Sequence, residues 1–192
     1  MMKLLNPIAF YNDRKLLIAN LIIFAVGTAL AVLVQAWFCS TIQLLFKSKI
    51  NIYETTIENI IAISLLTLVF FTAGKIINKK TRLIDCLNLS LYTRIPFYII
   101  SLLNFNGALS RNMPIELEDG SIKIPPPSSL ATDYIISFIT SCLNIVVIIF
   151  LLVVIYRSFK TLSNAKKTSD YIIFVGIFLL VTILSPIIIN LI

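Results

Sequence analysis

Few residues in this 192-residue chain could carry chemistry, and their types narrow the options at once. There is no histidine, which removes imidazole acid–base catalysis, histidine metal sites and imidazole pH switching. The three cysteines, Cys39, Cys86 and Cys142, stand apart, with neither a CxxC pair nor metal-ligand spacing, and read as small apolar residues. Carboxylates gather at Glu116, Glu118 and Asp119. On a strand, Glu116 and Glu118 would share one side and could touch a divalent cation, but a solvated face is the plainer reading. The sequence holds no G-x-S-x-G, P-loop, H-E-x-x-H or G-x-G-x-x-G. These residues point to a protein that is not an enzyme and needs no cofactor or metal.

The groups suited to binding are of two kinds. Lys75, Lys79, Lys80 and Arg82 form the most basic stretch of the chain. Clustered cations of this kind attract anionic lipid headgroups or an acidic protein partner, although they also serve simply to orient loops. Gly27 and Ala31 form a small-xxx-small pair suited to close helix contact, within a bundle or between copies in a homo-oligomer. Asn20, Gln35, Asn104, Asn144 and Asn190 can hydrogen-bond between helices. No acidic residue is expected at mid-membrane and Arg94 is expected near an interface, which weakens proton- or ion-coupled transport.

The elements that must position these residues follow from composition. Hydrophobic residues make up 58% of the chain and charged ones 13%, about half the share in soluble domains. Leu16–Phe46 contains no charge at all, more apolar surface than a soluble core of this size could hide. A membrane helix needs about 20 mostly apolar residues. That length predicts five spans, at about 16–38, 57–77, 89–109, 134–156 and 171–192, in a single membrane domain covering 1–192. Pro186 should kink the last helix, with Ser185 meeting a freed carbonyl.

Loop charge decides the topology. Five spans with the N-terminus inside put twelve basic residues on the inner side and four outside. Leaving 95–110 inside would make that ten against six, so the five-span arrangement obeys the positive-inside rule better. The net charge of +7 is then an orientation record and gives no reason to expect nucleic acid. Residues 82–95, with Ile84, Leu87, Leu91 and Ile95 at helical spacing, predict an amphipathic helix on the inner interface, bending into the third span at Pro96.

Outside, Ile115–Ile124 reads as a hairpin with a two-residue Asp119-Gly120 turn. Its expected pairs are Glu118–Ser121, Leu117–Ile122, Glu116–Lys123 and Ile115–Ile124, which gives one wholly apolar face. The fold class is thus an all-α polytopic membrane protein, N-in and C-out, with a small extracytoplasmic β-hairpin.

Five spans in this orientation, the Asn6-Pro7 lead-in, and the basic Lys75–Arg82 loop running into the Pro96 helix resemble the Yip family, membrane proteins named for interaction with Ypt/Rab GTPases. The likeness is to its compact bacterial members. The Asp-Leu-Tyr-Gly-Pro motif of eukaryotic members is absent from this sequence. What the resemblance implies is a non-enzymatic scaffold or adaptor that organises membranes or membrane-protein assemblies. A subunit of a small transporter or channel is the alternative. The Ile-, Lys- and Asn-rich composition suits a low-GC bacterium, and so a multi-pass protein of the inner membrane.

Overall fold

The computed structural model describes residues 2–47, 50–105, 107, 109–110, 115–116, 122–123 and 131–191. Five helical segments are long and apolar enough to cross a membrane, Asp13–Leu33, Ile52–Ile77, Leu83–Asn104, Tyr134–Ser163 and Thr168–Ile189, so the chain is a multi-pass membrane protein. Two one-turn helices lead in, α1 (Met2–Leu5) and α2 (Pro7–Phe10). They are tied down by Asn6 Nδ2 donating to Thr161 Oγ1 at 2.7 Å and by Tyr92 OH donating to Leu4 O at 3.0 Å.

The first span, α3 (Asp13–Leu33), starts where the Asn12 side chain accepts the Arg14 N–H, with Asp13 favourable in the first turn. It ends five residues before the expected 38. Gln35 has a φ of 57°, a left-handed conformation that turns the chain out of the helix. The apolar residues beyond it form a loop instead of more helix, closed by strands β1 (Ala36–Trp37) and β2 (Leu45–Phe46). This loop folds back on the bundle, and Ala36, Phe38, Leu44 and Phe46 are buried against Phe97, Tyr98 and Ile100.

The second span, α4 (Ile52–Ile77), begins five residues before the expected 57, because the Asn51 side chain caps it by accepting the Tyr53 N–H. The third is composite: α5 (Leu83–Tyr92), a break at Thr93–Arg94, α6 (Ile95–Ser101) and a 3₁₀ turn (Leu102–Asn104). Pro96 sits in the first turn of α6, where a missing N–H costs little, so the break precedes it. The helical segment long and apolar enough to cross thus runs 83–104, taking in most of residues 82–95, where 89–109 was expected. The polar positions that would face solvent in an amphipathic helix face other helices instead. Asn88 donates to Asp13 O at 3.1 Å and its own carbonyl accepts from Asn20 Nδ2 at 3.2 Å, while Asp85 pairs with Arg82.

The fourth span is α7 (Ala131–Ser163) and the fifth α8 (Thr168–Asn190). Helix α7 has 33 residues and is about 50 Å long at 1.5 Å per residue, beyond the expected end at 156. In α8, Pro186 lacks the N–H that would reach the Thr182 carbonyl, and Ser185 Oγ donates to that carbonyl at 3.0 Å, as its position beside the proline implies. Phe159 and Phe174 stack at 3.9 Å between centroids and join α7 to α8 in a core with Phe70, Leu89 and Phe178.

Hydrogen bonds sort the helix ends into two sets. Asn6, Asp13, Arg82, Asn88 and Thr161 meet at one end of the bundle. Val34, Thr41, Asn104 and Ser185 meet at the other. Successive spans thus alternate in direction, and the third does cross. In the loop after it, β3 (Ile115–Glu116) and β4 (Ile122–Lys123) pair antiparallel, Ile115 opposite Lys123 and Glu116 opposite Ile122. This is one residue out of the expected register. The Glu116–Ile122 pair encloses five residues, an odd number that a two-residue turn cannot close, so the Ile115–Ile124 and Glu116–Lys123 pairs are not made. The tip residues 117–121 and Ile124 lie outside the described residues.

Candidate functional site

The basic stretch sits on a turn that builds itself from local bonds. Helix α4 stops at Asn78, whose N–H donates to Gly74 O at 2.7 Å and whose side chain accepts the Lys80 N–H at 3.0 Å. Thr81 then donates its hydroxyl to Gly74 O at 3.0 Å, folding the turn over the helix end. Lys75 reaches across to donate to Lys79 O at 2.7 Å and lies over the Phe71 ring. The turn leaves Lys79 and Lys80 exposed.

Arg82 differs from its neighbours. It makes a fork to Asp85, both bonds 2.9 Å, and a 2.8 Å bond to Asp13. The hydrogen bond and charge of Asp85, then the charge of Asp13, push its pKa further up. Two carboxylates therefore hold this cation, and it fastens α5 to the start of α3. The sequence brings four cations to one corner, and the structure gives the outward-facing part of the role to the lysines. Arg14, Lys15, Arg157, Lys160, Lys166 and Lys167 are also exposed, on segments at the same end of the bundle.

Gly27 and Ala31 are both buried where α3 meets α6, with Gly27 at the floor of an open apolar groove beside Val26, Leu30 and Ile99. A β-carbon on Gly27 would lie 2.7 Å from Tyr98 Cε2 and closer still to Cγ and Cδ2. The small pair thus lets α3 approach α6 within one chain.

A second polar centre was not legible as such. Arg94 is expected near an interface and counts toward the inner loop charge, yet it sits at the break in the third span and is 1% exposed. Eleven basic residues, against four, remain on the inner side without it. Nη1 and Nη2 both point at one acceptor, the Ser40 carbonyl, at 3.4 and 3.3 Å, and Nε has no partner. The guanidinium lies 5.5 Å from the Phe38 ring centroid. Among the described residues it has no carboxylate within ion-pair distance. Cys39 does not supply a counter-charge, because burial pushes its thiol up to about 11 despite the pull of Arg94 in the other direction.

Hydroxyls and amides surround this cation. Thr41 donates its N–H to Ser185 Oγ at 3.2 Å, and Ser185 Oγ is 3.2 Å from Ser40 Oγ. On the other flank, Asn59 Nδ2 donates to Thr28 Oγ1 at 2.9 Å and to Tyr98 OH at 2.7 Å, while its Oδ1 is buried without a partner. Nearer the loop surface the Trp37 indole donates to Glu58 Oε1 at 2.8 Å, Oε2 has no partner, and Lys47 lies over the Trp37 ring at 3.7 Å. The signal that could have found this centre is Arg94 itself, a lone cation inside the otherwise uncharged stretch from Cys86 to Asn104.

The acidic residues Glu118 and Asp119 lie outside the described residues. Compared with family models, characterised proteins and solved structures, the chain matches none.

Proposed function

We propose that this protein is a non-enzymatic membrane scaffold or adaptor that presents a basic corner to anionic lipid headgroups and to acidic segments of a membrane-protein partner. The observation that carries this reading is the α4–α5 turn. Its own hydrogen bonds fix its shape, and they leave Lys79 and Lys80 directed outward while Arg82 is held by Asp13 and Asp85. A preformed basic corner loses little freedom when an anionic surface binds, and it attracts that surface at about 1 kcal/mol per Lys or Arg. The protein resides in the bacterial inner membrane with its N-terminus inside, as the loop charges favour. The resemblance to the Yip family supports the same role.

The test is phospholipid analysis of the protein purified in mild detergent from one membrane source. Wild type should retain anionic lipid above its share in that membrane, and K79Q/K80Q should lose the excess. Equal retention by both proteins would refute the reading. A transporter or channel subunit is the second reading. What favours it is a cation in mid-span without a carboxylate partner among the described residues, since intramembrane charges mark solute pathways. Solute flux by the purified protein in liposomes, lost in R94Q, would replace the scaffold with that reading.

A further inference from the structure

The Arg94 centre has an unspent capacity for negative charge. Taking a guanidinium out of water costs several kcal/mol even after relaxation, and geometry must be excellent to recover it. Here two of its nitrogens share one carbonyl oxygen at 3.3–3.4 Å, longer than the 2.7–2.9 Å usual for a charged pair, and the third nitrogen has nothing. Beside the Ser40 carbonyl lie further hydroxyls: that of Ser40, 3.2 Å from Ser185 Oγ, and that of Thr41, 3.5 Å from the Thr182 hydroxyl. The acceptor that the fork does meet belongs to the loop between α3 and α4, which covers the cation from the far end of the bundle.

We propose that Arg94 and these hydroxyls form a binding site for a small monovalent anion, with the Ser40 carbonyl occupying the place that the anion takes. A carboxylate would give the fork two oxygens where the carbonyl gives one, and a halide would give it a full charge. Binding moves the Ser40 segment away from Arg94 and with it the adjoining Phe38 and Cys39. The site stands independently of the scaffold reading, because it lies in the bundle interior and uses none of the basic corner.

The chain has a single tryptophan, Trp37, bonded to Glu58 in the same loop, so its fluorescence reports movement there. The full chain in detergent is titrated with sodium formate, sodium acetate or sodium chloride, at ionic strength held constant with sodium gluconate, a much bulkier anion. Wild type should show a saturable change and a rise in thermal midpoint, and R94Q should lose both. Saturation by formate and acetate alone assigns a carboxylate, and saturation by chloride alone assigns a halide. A flat response to all three in wild type, or the same response in R94Q, would overturn the site. In case R94Q does not fold, Cys39 provides a second measurement. In a C86S/C142S background, anion binding should raise the maleimide labelling rate of Cys39 several-fold, and an unchanged rate would likewise overturn the proposal.

Discussion

Replacing Gly27 with alanine tests the closest approach in the bundle. In an ordinary helix interior the change would gain about 1 kcal/mol in helix propensity. Here the new methyl group would stand 2.7 Å or less from three atoms of the Tyr98 ring, so a buried aromatic must shift by roughly 1 Å to restore contact distance. Overpacking of this kind costs about 1–3 kcal/mol. The shift also pulls Tyr98 OH from Asn59 Nδ2, now 2.7 Å away, and an unpaired buried group costs about 1–3 kcal/mol more. The midpoints of these ranges leave a net loss of about 3 kcal/mol, on the order of 10 °C in thermal midpoint. Gly176 in α8 is the control, because a β-carbon there meets nothing within 4 Å. G176A should be neutral or slightly stabilising in the same detergent melting assay. Adding Y98L to G27A removes the clash, so the double variant should lose less than the sum of the single ones. A G27A protein that melts at or above wild type would refute the packing argument.

Three further outcomes are expected. R82Q leaves Asp13 and Asp85 without their shared cation and should lower the thermal midpoint more than K79Q/K80Q, with D85N partly restoring it; equal midpoints for R82Q and K79Q/K80Q would show that the fork holds nothing. The Cys39 thiol, ordinarily ionising near 9, is pushed up to about 11, so the folded state keeps its proton longer and its contribution to stability is full below pH 9 and lost as pH rises through 11. Alkaline melting curves should flatten over that window in C39S/C86S relative to C86S, and identical slopes would contradict it. Reporter fusions after Lys80 and Lys166 should read one compartment and fusions after Ser48 and Gly120 the other, whereas an inner signal at Gly120 would remove the third crossing.

Hydropathy was sufficient for four of the spans, each with a long apolar run, whereas the third, interrupted by Arg94, needed the loop charges to count as a crossing. Boundaries were less legible, for reasons that differ by residue. Trp37 and Phe38 are apolar enough for a span, and only the left-handed Gln35 backbone turns them into a loop, which composition does not encode. Arg82, Asp85 and Asn88 look like a solvated stripe because polarity alone does not distinguish water from a neighbouring helix. The basic corner was visible as a cluster, but the diversion of Arg82 depends on Asp13, far away in sequence. Arg94 was misplaced by counting inward from Leu89 instead of Leu83. The hairpin register differs from the expected one by a single residue.

One detail of α8 bears on how the chain is assembled. Pro186 frees the Thr182 carbonyl, Ser185 spends its proton there, and the serine oxygen is left to receive the Thr41 N–H. A defect in the last helix is therefore the fastening point for a loop made 144 residues earlier. At about 5–20 residues per second, the loop waits roughly 7–30 s of synthesis for its anchor. Until then the loop that covers Arg94 lacks its anchor at Thr41. One fastening of this loop is completed by the final segment to enter the membrane, so truncation within α8 should loosen the loop at Thr41 even with four spans inserted.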